Sequence, residues 1–245
     1  MEQALAATAA YTFSFNDPGR AERMRHRFER VGIPLTFVPP VLATDPRIPA
    51  EAQHDKALVR NCAIMWNHLD MLRCFLEDPS RPAYGLFCED DIYIRKDLAE
   101  LVPLLIALYR AHRIDLFLLG YLELTQIGRV VLSEPQRFAP PSALPDLVVR
   151  RYGHYQWGAE MYMVDRNHAA ALLDLFNEDF ARRSVQKLDN LPPFSPDWTI
   201  TKYGNKALVY PMMAVEEGQV VADDDWHRNF HANCHKAQYE PDIHI

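Results

Sequence analysis

Apolar and polar positions recur along the chain with two different periods, and each period predicts one type of secondary structure. Residues 11–15 alternate aromatic with small polar side chains, which predicts a short strand. Met24, Phe28 and Val31 follow at helical spacing on one face of a predicted helix, and Gly32 ends it. The chain therefore opens with a strand, a turn and a helix.

The same two periods continue through the rest of the chain. Short apolar runs between turn signals predict further strands at residues 35–41, 83–88, 114–120, 161–164 and 207–210. Apolar stripes at helical spacing predict helices at residues 58–75, 97–111 and 167–176. Because strands and helices alternate, we expect an α/β fold with a mixed, mainly parallel central sheet.

No linker rich in glycine and serine divides the chain, so residues 1–245 are predicted to form a single domain. Residues 128–151 are rich in proline and contain two short β-like runs, at 129–132 and 147–151. This composition predicts an inserted lid or hairpin. Residues 222–245 form a C-terminal tail that is first acidic and then rich in histidine.

Composition narrows the class of protein. With 49% hydrophobic and 24% charged residues the chain is globular, and its formal net charge of −7 disfavours a broad nucleic-acid interface. No apolar run approaches the ~20 residues of a membrane span, and the first ten residues lack the basic start of a secretory signal. The four cysteines show no CxxC spacing, which indicates reduced thiols. We therefore expect a cytoplasmic protein.

Three consecutive carboxylates, Glu89, Asp90 and Asp91, directly follow the apolar run at 83–88. Their charges repel beside a buried strand, so a cation is the natural compensation. Alternate residues of an extended chain share a face, which lets Glu89 and Asp91 hold one hard cation through oxygen. Oxygen ligands favour Mg²⁺ or Mn²⁺. The alternative is that these acids cap the next helix or solvate a turn.

Several further segments follow one another along most of the chain: residues 11–15, Arg20, Arg23, Asn67-His68-Leu69, residues 86–92, residues 157–164 and Pro196-Asp197-Trp198. In this order they resemble the segments of glycosyltransferase family 25, the lipooligosaccharide and procollagen β-galactosyltransferases. The resemblance implies a GT-A fold, a Rossmann-like nucleotide-binding sandwich. It also implies Mn²⁺- or Mg²⁺-dependent transfer of a hexose from a nucleotide sugar, such as a UDP-sugar, to a hydroxyl of a glycan or other acceptor, with inversion.

The resemblance also implies roles for individual residues. Metal ligands would be Glu89 and Asp91, with His227 or His231 from the tail as a third ligand. The donor would be bound by Ser14, Asn16, Arg20, Asp45, Asn67 and Asp90. Residues 128–151 would lie on the acceptor side.

Inversion needs a base beside the acceptor hydroxyl, and Asp197 is the first candidate, with Glu160 second. Asp197 could instead cap a helix, and Glu160 could be a structural carboxylate beside Arg150 or Arg151. His68 stands on an apolar helical stripe, where a histidine is usually a hydrogen-bonded core residue.

The spacing of the histidines in the C-terminal tail also allows two interpretations. His227, His231 and His235 are spaced at i, i+4 and i+8, which suits either a metal site, Zn²⁺ included, or a surface helix.

Two other functions are compatible with the same pattern. A sugar-phosphate nucleotidyltransferase would also use acidic metal ligands, but such enzymes open with a glycine-rich phosphate loop, and the first turn here has only Gly19. A non-catalytic carbohydrate-binding protein could share the fold, although the intact acidic triplet argues against it.

Overall fold

The computed structural model describes residues 2–15, 17–124, 137–138, 147–218 and 224–245. Within them the helices are α1 (Glu2–Ala6), α2 (Pro18–Val31), α3 (Lys56–Glu77), α4 (Leu98–Ala111), α5 (Arg166–Leu175), α6 (Glu178–Val185) and α7 (Asp225–Gln238). The strands are β1 (Thr8–Phe13), β2 (Leu35–Val38), β3 (Tyr84–Cys88), β4 (Ile92–Ile94), β5 (Leu116–Leu122), β6 (Arg137–Phe138), β7 (Val148–Arg151), β8 (Trp157–Asp165), β9 (Lys206–Tyr210) and β10 (Ala214–Glu216).

The central sheet has eight strands in the described part of the chain, in the order β2-β1-β3-β8-β5-β9-β7-β6. Strand β1 pairs in parallel with β2 and β3, and β5 pairs in parallel with β9. Strands β8 and β7 run against their neighbours, so the other six share one direction. The predicted fold class, a Rossmann-like α/β sandwich with a mixed and mainly parallel sheet, is confirmed.

The alternation along each strand separates two apolar layers. On β1, Tyr11 and Phe13 face the layer that contains α3 and α5, whereas Ala10 faces the layer that contains α2 and α4. On β3, Phe87 joins the first layer and Leu86 the second. Both faces of the sheet are therefore buried, which explains why the central strands are continuous apolar runs.

Local sequence signals set the ends of α2. The Asp17 side chain accepts a hydrogen bond from the backbone N–H of Arg20, and Pro18 opens the helix. The helix ends at Gly32, whose φ of 70° is left-handed. These caps place Arg20 at the helix start, beside the edge where β1 and β3 end.

The predicted lid at 128–151 lies largely outside the described residues, including its β-like run at 129–132. Its described part is the antiparallel pair of strands β6 and β7, and β7 also pairs with β9 along residues 148–151. Val148 and Val149 are buried in the core. The run at 147–151 is therefore a strand of the central sheet, because it pairs with β9 and its two valines are buried on opposite faces of the sheet.

A second, two-stranded sheet joins β4 to β10 in antiparallel register. The tail adds α7, and Ile245 exchanges backbone hydrogen bonds of 2.9 and 3.0 Å with Ile94 of β4. Nowhere in the described ranges does a helix combine the length and the apolar character that crossing a membrane requires.

Candidate active site

Three strand ends bring polar residues to one edge of the central sheet. Ser14 follows β1 and Glu89 follows β3, and the register of these parallel strands pairs Thr12 with Cys88. Strand β8 runs back from the same edge, and the Glu89 N–H donates a hydrogen bond of 3.1 Å to the Glu160 carbonyl. Acids that are far apart in the sequence therefore meet here.

The small sheet adds another acid to this edge. Glu216, the last residue of β10, is paired with Ile92, directly after the acidic triplet. The Glu217 N–H donates to the Asp91 carbonyl at 2.6 Å. The negative charge of Glu216 raises the pKa of both Glu89 and Asp91, which places it within the same electrostatic cluster. We refer to Glu89, Asp90, Asp91, Glu160, Asp197 and Glu216 as the acidic cluster.

Arg20 contacts two acids of the acidic triplet. Its Nη1 lies 3.3 Å from Asp90 Oδ1 and 3.2 Å from Asp91 Oδ2. The prediction placed Arg20, Asp90 and Asp91 at a common site, and the structure brings these three side chains together. Asp91 Oδ1 is buried and has no hydrogen-bond partner, so Arg20 satisfies only part of this carboxylate.

Two acids of the cluster have raised pKa values, because they are buried and lie close to one another. Burial, followed by repulsion from Asp197, Glu216 and Asp90, raises the pKa of Glu89 to about 8. Burial and repulsion from Glu89 and Glu216 raise the pKa of Asp91 to about 8, although Arg20 opposes the shift. The site therefore favours a gain of positive charge, whether as protons or as a cation.

Both candidate bases belong to the cluster. The Gly158 N–H donates to Asp197 Oδ1 at 3.1 Å, and burial raises the pKa of Asp197 while Lys202 and His68 oppose the shift. Glu160 is buried, its Oε2 has no partner, and burial raises its pKa well above the usual range. Of the two candidate bases, Asp197 is therefore the one whose negative charge is compensated by a cation, Lys202.

Gly158 lies against both of these acids. Its φ is +102°, and a Cβ at this position would lie 2.3 Å from Glu160 Oε2, 2.6 Å from Leu122 N and 2.7 Å from Tyr121 Cα. No side chain fits there, because two of those three atoms are backbone. The close approach of β8 to β5 therefore depends on glycine.

His68 lies beneath the cluster. It is fully buried, stacks on Tyr162 and shares a hydrogen bond of 3.1 Å between its Nδ1 and the Tyr162 hydroxyl. This is the hydrogen-bonded core histidine that the sequence indicated. Its other nitrogen, Nε2, has no hydrogen-bond partner and lies 3.8 Å from Glu89 Oε1. Burial lowers its pKa to about 4, so the imidazole is neutral at pH 7.

The tail histidines lie on a helix, one of the two arrangements that their spacing allowed. His231 Nδ1 lies 2.6 Å from Glu216 Oε2. Burial opposes protonation of His231, but Glu216, Glu89 and Asp91 outweigh it and raise the pKa of this imidazole. His227 instead bonds at 2.6 Å to Asp224, the residue that caps the helix. The structure therefore brings His231 to the acidic cluster, while His227 contacts the helix cap.

The remaining predicted donor-binding residues have different surroundings. Ser14 Oγ is buried without a partner at the end of β1, close to Glu89 in the strand register. Asp45 binds Arg47 through both carboxylate oxygens at 2.9 Å. Asn67 is fully buried and bonds to the backbone of Val41 and Ala63. Asn16 lies outside the described residues. Donor contacts by these four residues stay predictions.

The chemistry of the cluster suits a hard divalent cation, since its donors are carboxylate oxygens and one of them, Asp91 Oδ1, is buried and unpartnered. Across the ranges that the structure describes, no three His, Cys, Asp or Glu side chains converge closely enough to hold a metal ion. These oxygens are therefore of the type that binds such an ion. To bind one, the carboxylates would have to move closer together.

Sequence reasoning missed Glu216 and Lys202. Glu216 belongs to a three-residue strand, too short to leave a periodic signal. Lys202 lowers the pKa of Asp197 from a 3₁₀ turn, and burial lowers its own pKa to about 8. Its position five residues after Asp197 was the one available signal.

No protein-family model matches the chain, and no curated protein matches it. Membership of glycosyltransferase family 25 therefore stays a prediction. Among solved structures, the chain is similar to the crystal structure of a glycosyltransferase involved in the glycosylation of the major capsid of PBCV-1, with 12% sequence identity and a TM-score of 0.42. The match covers 91% of this chain and 97% of that chain.

Proposed function

We propose that this protein is a glycosyltransferase that uses a divalent cation, Mn²⁺ or Mg²⁺, to transfer a hexose from a nucleotide sugar to a hydroxyl group of a glycan. The observation that carries the proposal is the position of the acidic cluster at the carboxyl edge of the sheet, where the buried Asp91 Oδ1 has no hydrogen-bond partner. Open α/β sheets bind ligands at this edge. The sequence resemblance to glycosyltransferase family 25 supports the same reaction class and favours a UDP-sugar donor.

Glu89 and Asp91 would hold the cation, with Asp91 Oδ1 as the oxygen that has no other partner. When bound, the cation stabilises the negative charge that develops on the diphosphate leaving group. A carboxylate cluster without a cation would instead repel a diphosphate, so donor binding is expected to require the metal.

Arg20 supplies a second positive charge on the donor side. It stands at the start of α2, where the helix dipole also favours an anion. In the structure its guanidinium contacts Asp90 and Asp91. A cation bound by the acids would reduce their hold on this guanidinium and leave it available to a diphosphate oxygen.

Asp197 is the proposed base. A base must lose its proton at working pH, and the positive charge of Lys202 favours the charged form of Asp197. Glu160 has no such cation among the groups that act on its pKa, and burial favours its neutral form, so it is better suited to donate a hydrogen bond. Deprotonating the attacking hydroxyl would be worth roughly two to four decades of rate.

The test is a thermal-shift titration with UDP, in Mn²⁺ and in EDTA, because a ligand that binds only the folded state raises the melting temperature. We expect UDP to stabilise the protein in Mn²⁺ and to have no effect in EDTA. Asp91→Asn should abolish the shift, whereas Asp174→Asn, at an exposed position on α5, should retain it. UDP stabilisation that survives EDTA, or that survives Asp91→Asn, would contradict the proposal.

A further inference from the structure

Four aromatic side chains form a surface cluster beside the acidic cluster: Trp157, Trp198, Trp226 and Phe230. The Trp157 ring centroid lies 6.1 Å from that of Trp198, 6.5 Å from Trp226 and 5.9 Å from Phe230. Trp226 and Phe230 are stacked one helical turn apart on α7, with centroids 5.3 Å apart and planes within 6°. We call these residues the aromatic platform.

The platform is open to solvent. Trp226 is 57% exposed and Trp198 is 39% exposed. Tryptophan is among the costliest residues to leave in water, because each ring carries a large apolar area. Three of the four tryptophans of the chain lie together here, whereas Trp66 is fully buried in the core. A grouped exposure of this kind marks a binding surface.

The platform leads directly to Asp197. Trp198 is its neighbour in sequence, and Trp157 precedes Gly158, whose N–H donates to Asp197 Oδ1 at 3.1 Å. The opposite end of the platform is bounded by His227, whose ring meets Trp226 edge-on at 4.9 Å. The aromatic rings of the platform therefore lie between two polar side chains, Asp197 at one end and His227 at the other.

We propose that the aromatic platform is the subsite for the acceptor saccharide, which packs its rings along Trp198 and Trp226 and presents a hydroxyl to Asp197. A pyranose has one face of C–H groups and a rim of hydroxyls. The C–H groups pack against the electron-rich face of an indole, and the hydroxyls need polar partners beside it. The assignment as acceptor rests on the proposed function.

The test follows the indole N–H signals of the four tryptophans in ¹⁵N-labelled protein by NMR. Cellobiose, maltose, lactose and N,N′-diacetylchitobiose are titrated at millimolar concentration, with and without UDP and Mn²⁺. We expect at least one sugar to shift signals of Trp157, Trp198 and Trp226, and to leave Trp66, the buried internal control, unchanged.

Two variants sharpen the test. Trp226→Ala removes an exposed ring from the first turn of α7, and should weaken sugar binding roughly threefold to tenfold, the effect of one aromatic stack. Tyr203→Ala removes a ring of 42% exposure that packs instead on His168 and Phe176, and should leave sugar binding unchanged. Both variants should bind UDP and Mn²⁺ as the parent does.

The outcomes separate the two proposals. If UDP binds with Mn²⁺ and no sugar shifts a platform signal in either condition, the acceptor subsite is wrong and the aromatic surface belongs to another kind of partner. If a sugar binds the platform but UDP does not bind, the transferase function and the acceptor assignment fail together. Equal sugar affinity in Trp226→Ala and the parent would also overturn the platform.

Discussion

The backbone N–H of Gly158 donates a hydrogen bond to the Asp197 carboxylate, and this contact joins strand β8 to the turn that carries Asp197. The two residues are 39 positions apart in the sequence. Because the donor is a backbone group with fixed geometry, Asp197 is held in place without a second side chain. The candidate base is therefore oriented by the sheet itself.

Asp197→Asn tests the role of this carboxylate. Asparagine keeps the size and the hydrogen bond to Gly158 but cannot take a proton, so turnover should fall roughly a hundredfold. The Kd for UDP in Mn²⁺, measured by calorimetry, should remain that of the parent. Glu160→Gln should have the smaller effect on turnover. A parent-like turnover in Asp197→Asn would assign Asp197 a structural role.

Gly158→Ala tests whether the positive φ and the close packing are required. The added methyl would meet Glu160 and the backbone of β5, and the backbone conformation disfavours any side chain, so we expect a loss of about 1–3 kcal/mol in the free energy of unfolding. Urea denaturation measures it. Gly153→Ala is the matched control, because a Cβ at Gly153 has open space around it. Equal stability of the two variants would contradict this account of the packing.

The acidic cluster predicts a metal requirement for activity as well as for donor binding. EDTA should abolish sugar transfer, and Mn²⁺ or Mg²⁺ should restore it, because both ions bind carboxylate oxygen. The matching variant is Glu89→Gln, which should raise the Mn²⁺ concentration for half-maximal activity, whereas Asp174→Asn should not. Transfer at the full rate in chelator would contradict the metal requirement.

His68 predicts a pH dependence of stability. Its pKa is lowered from 6.5 to about 4 in the folded protein, so the unfolded chain binds more protons between these values. The stability from this group is complete above pH 6.5 and is lost as the pH falls towards 4. The raised pKa values of Glu89 and Asp91 act in the opposite sense, so the prediction concerns the difference between variant and parent.

His68→Gln should therefore flatten the fall in unfolding free energy on going from pH 6.5 to pH 4.5, by up to about 1.4 kcal/mol per pH unit. Denaturant titrations at several pH values measure the slope. His26→Gln, at an exposed position on α2, should retain the slope of the parent. A slope that is unchanged in His68→Gln would mean that the imidazole titrates normally.

The alternation of strands and helices was predictable because the central strands are continuous apolar runs bounded by breakers. The acidic triplet was found for the same reason, since it ends such a run at Cys88. Strand β10 and helix α6 were missed, because three residues carry no period and the segment after Asn177 is mostly polar. Glu216 and the proximity of Trp226 to Trp157 depend on tertiary contacts, which no local pattern encodes.

Helix α7 carries both Trp226 of the aromatic platform and His231, which bonds to Glu216 of the acidic cluster. A ligand that shifts or orders α7 at the aromatic platform would therefore also change the position of His231 at the acidic cluster, where the second ligand binds. Thermodynamic linkage then requires reciprocity: whatever factor a bound nucleotide contributes to saccharide affinity, the saccharide returns to the nucleotide. Donor and acceptor would be coupled partners in one binding equilibrium, through a single helix.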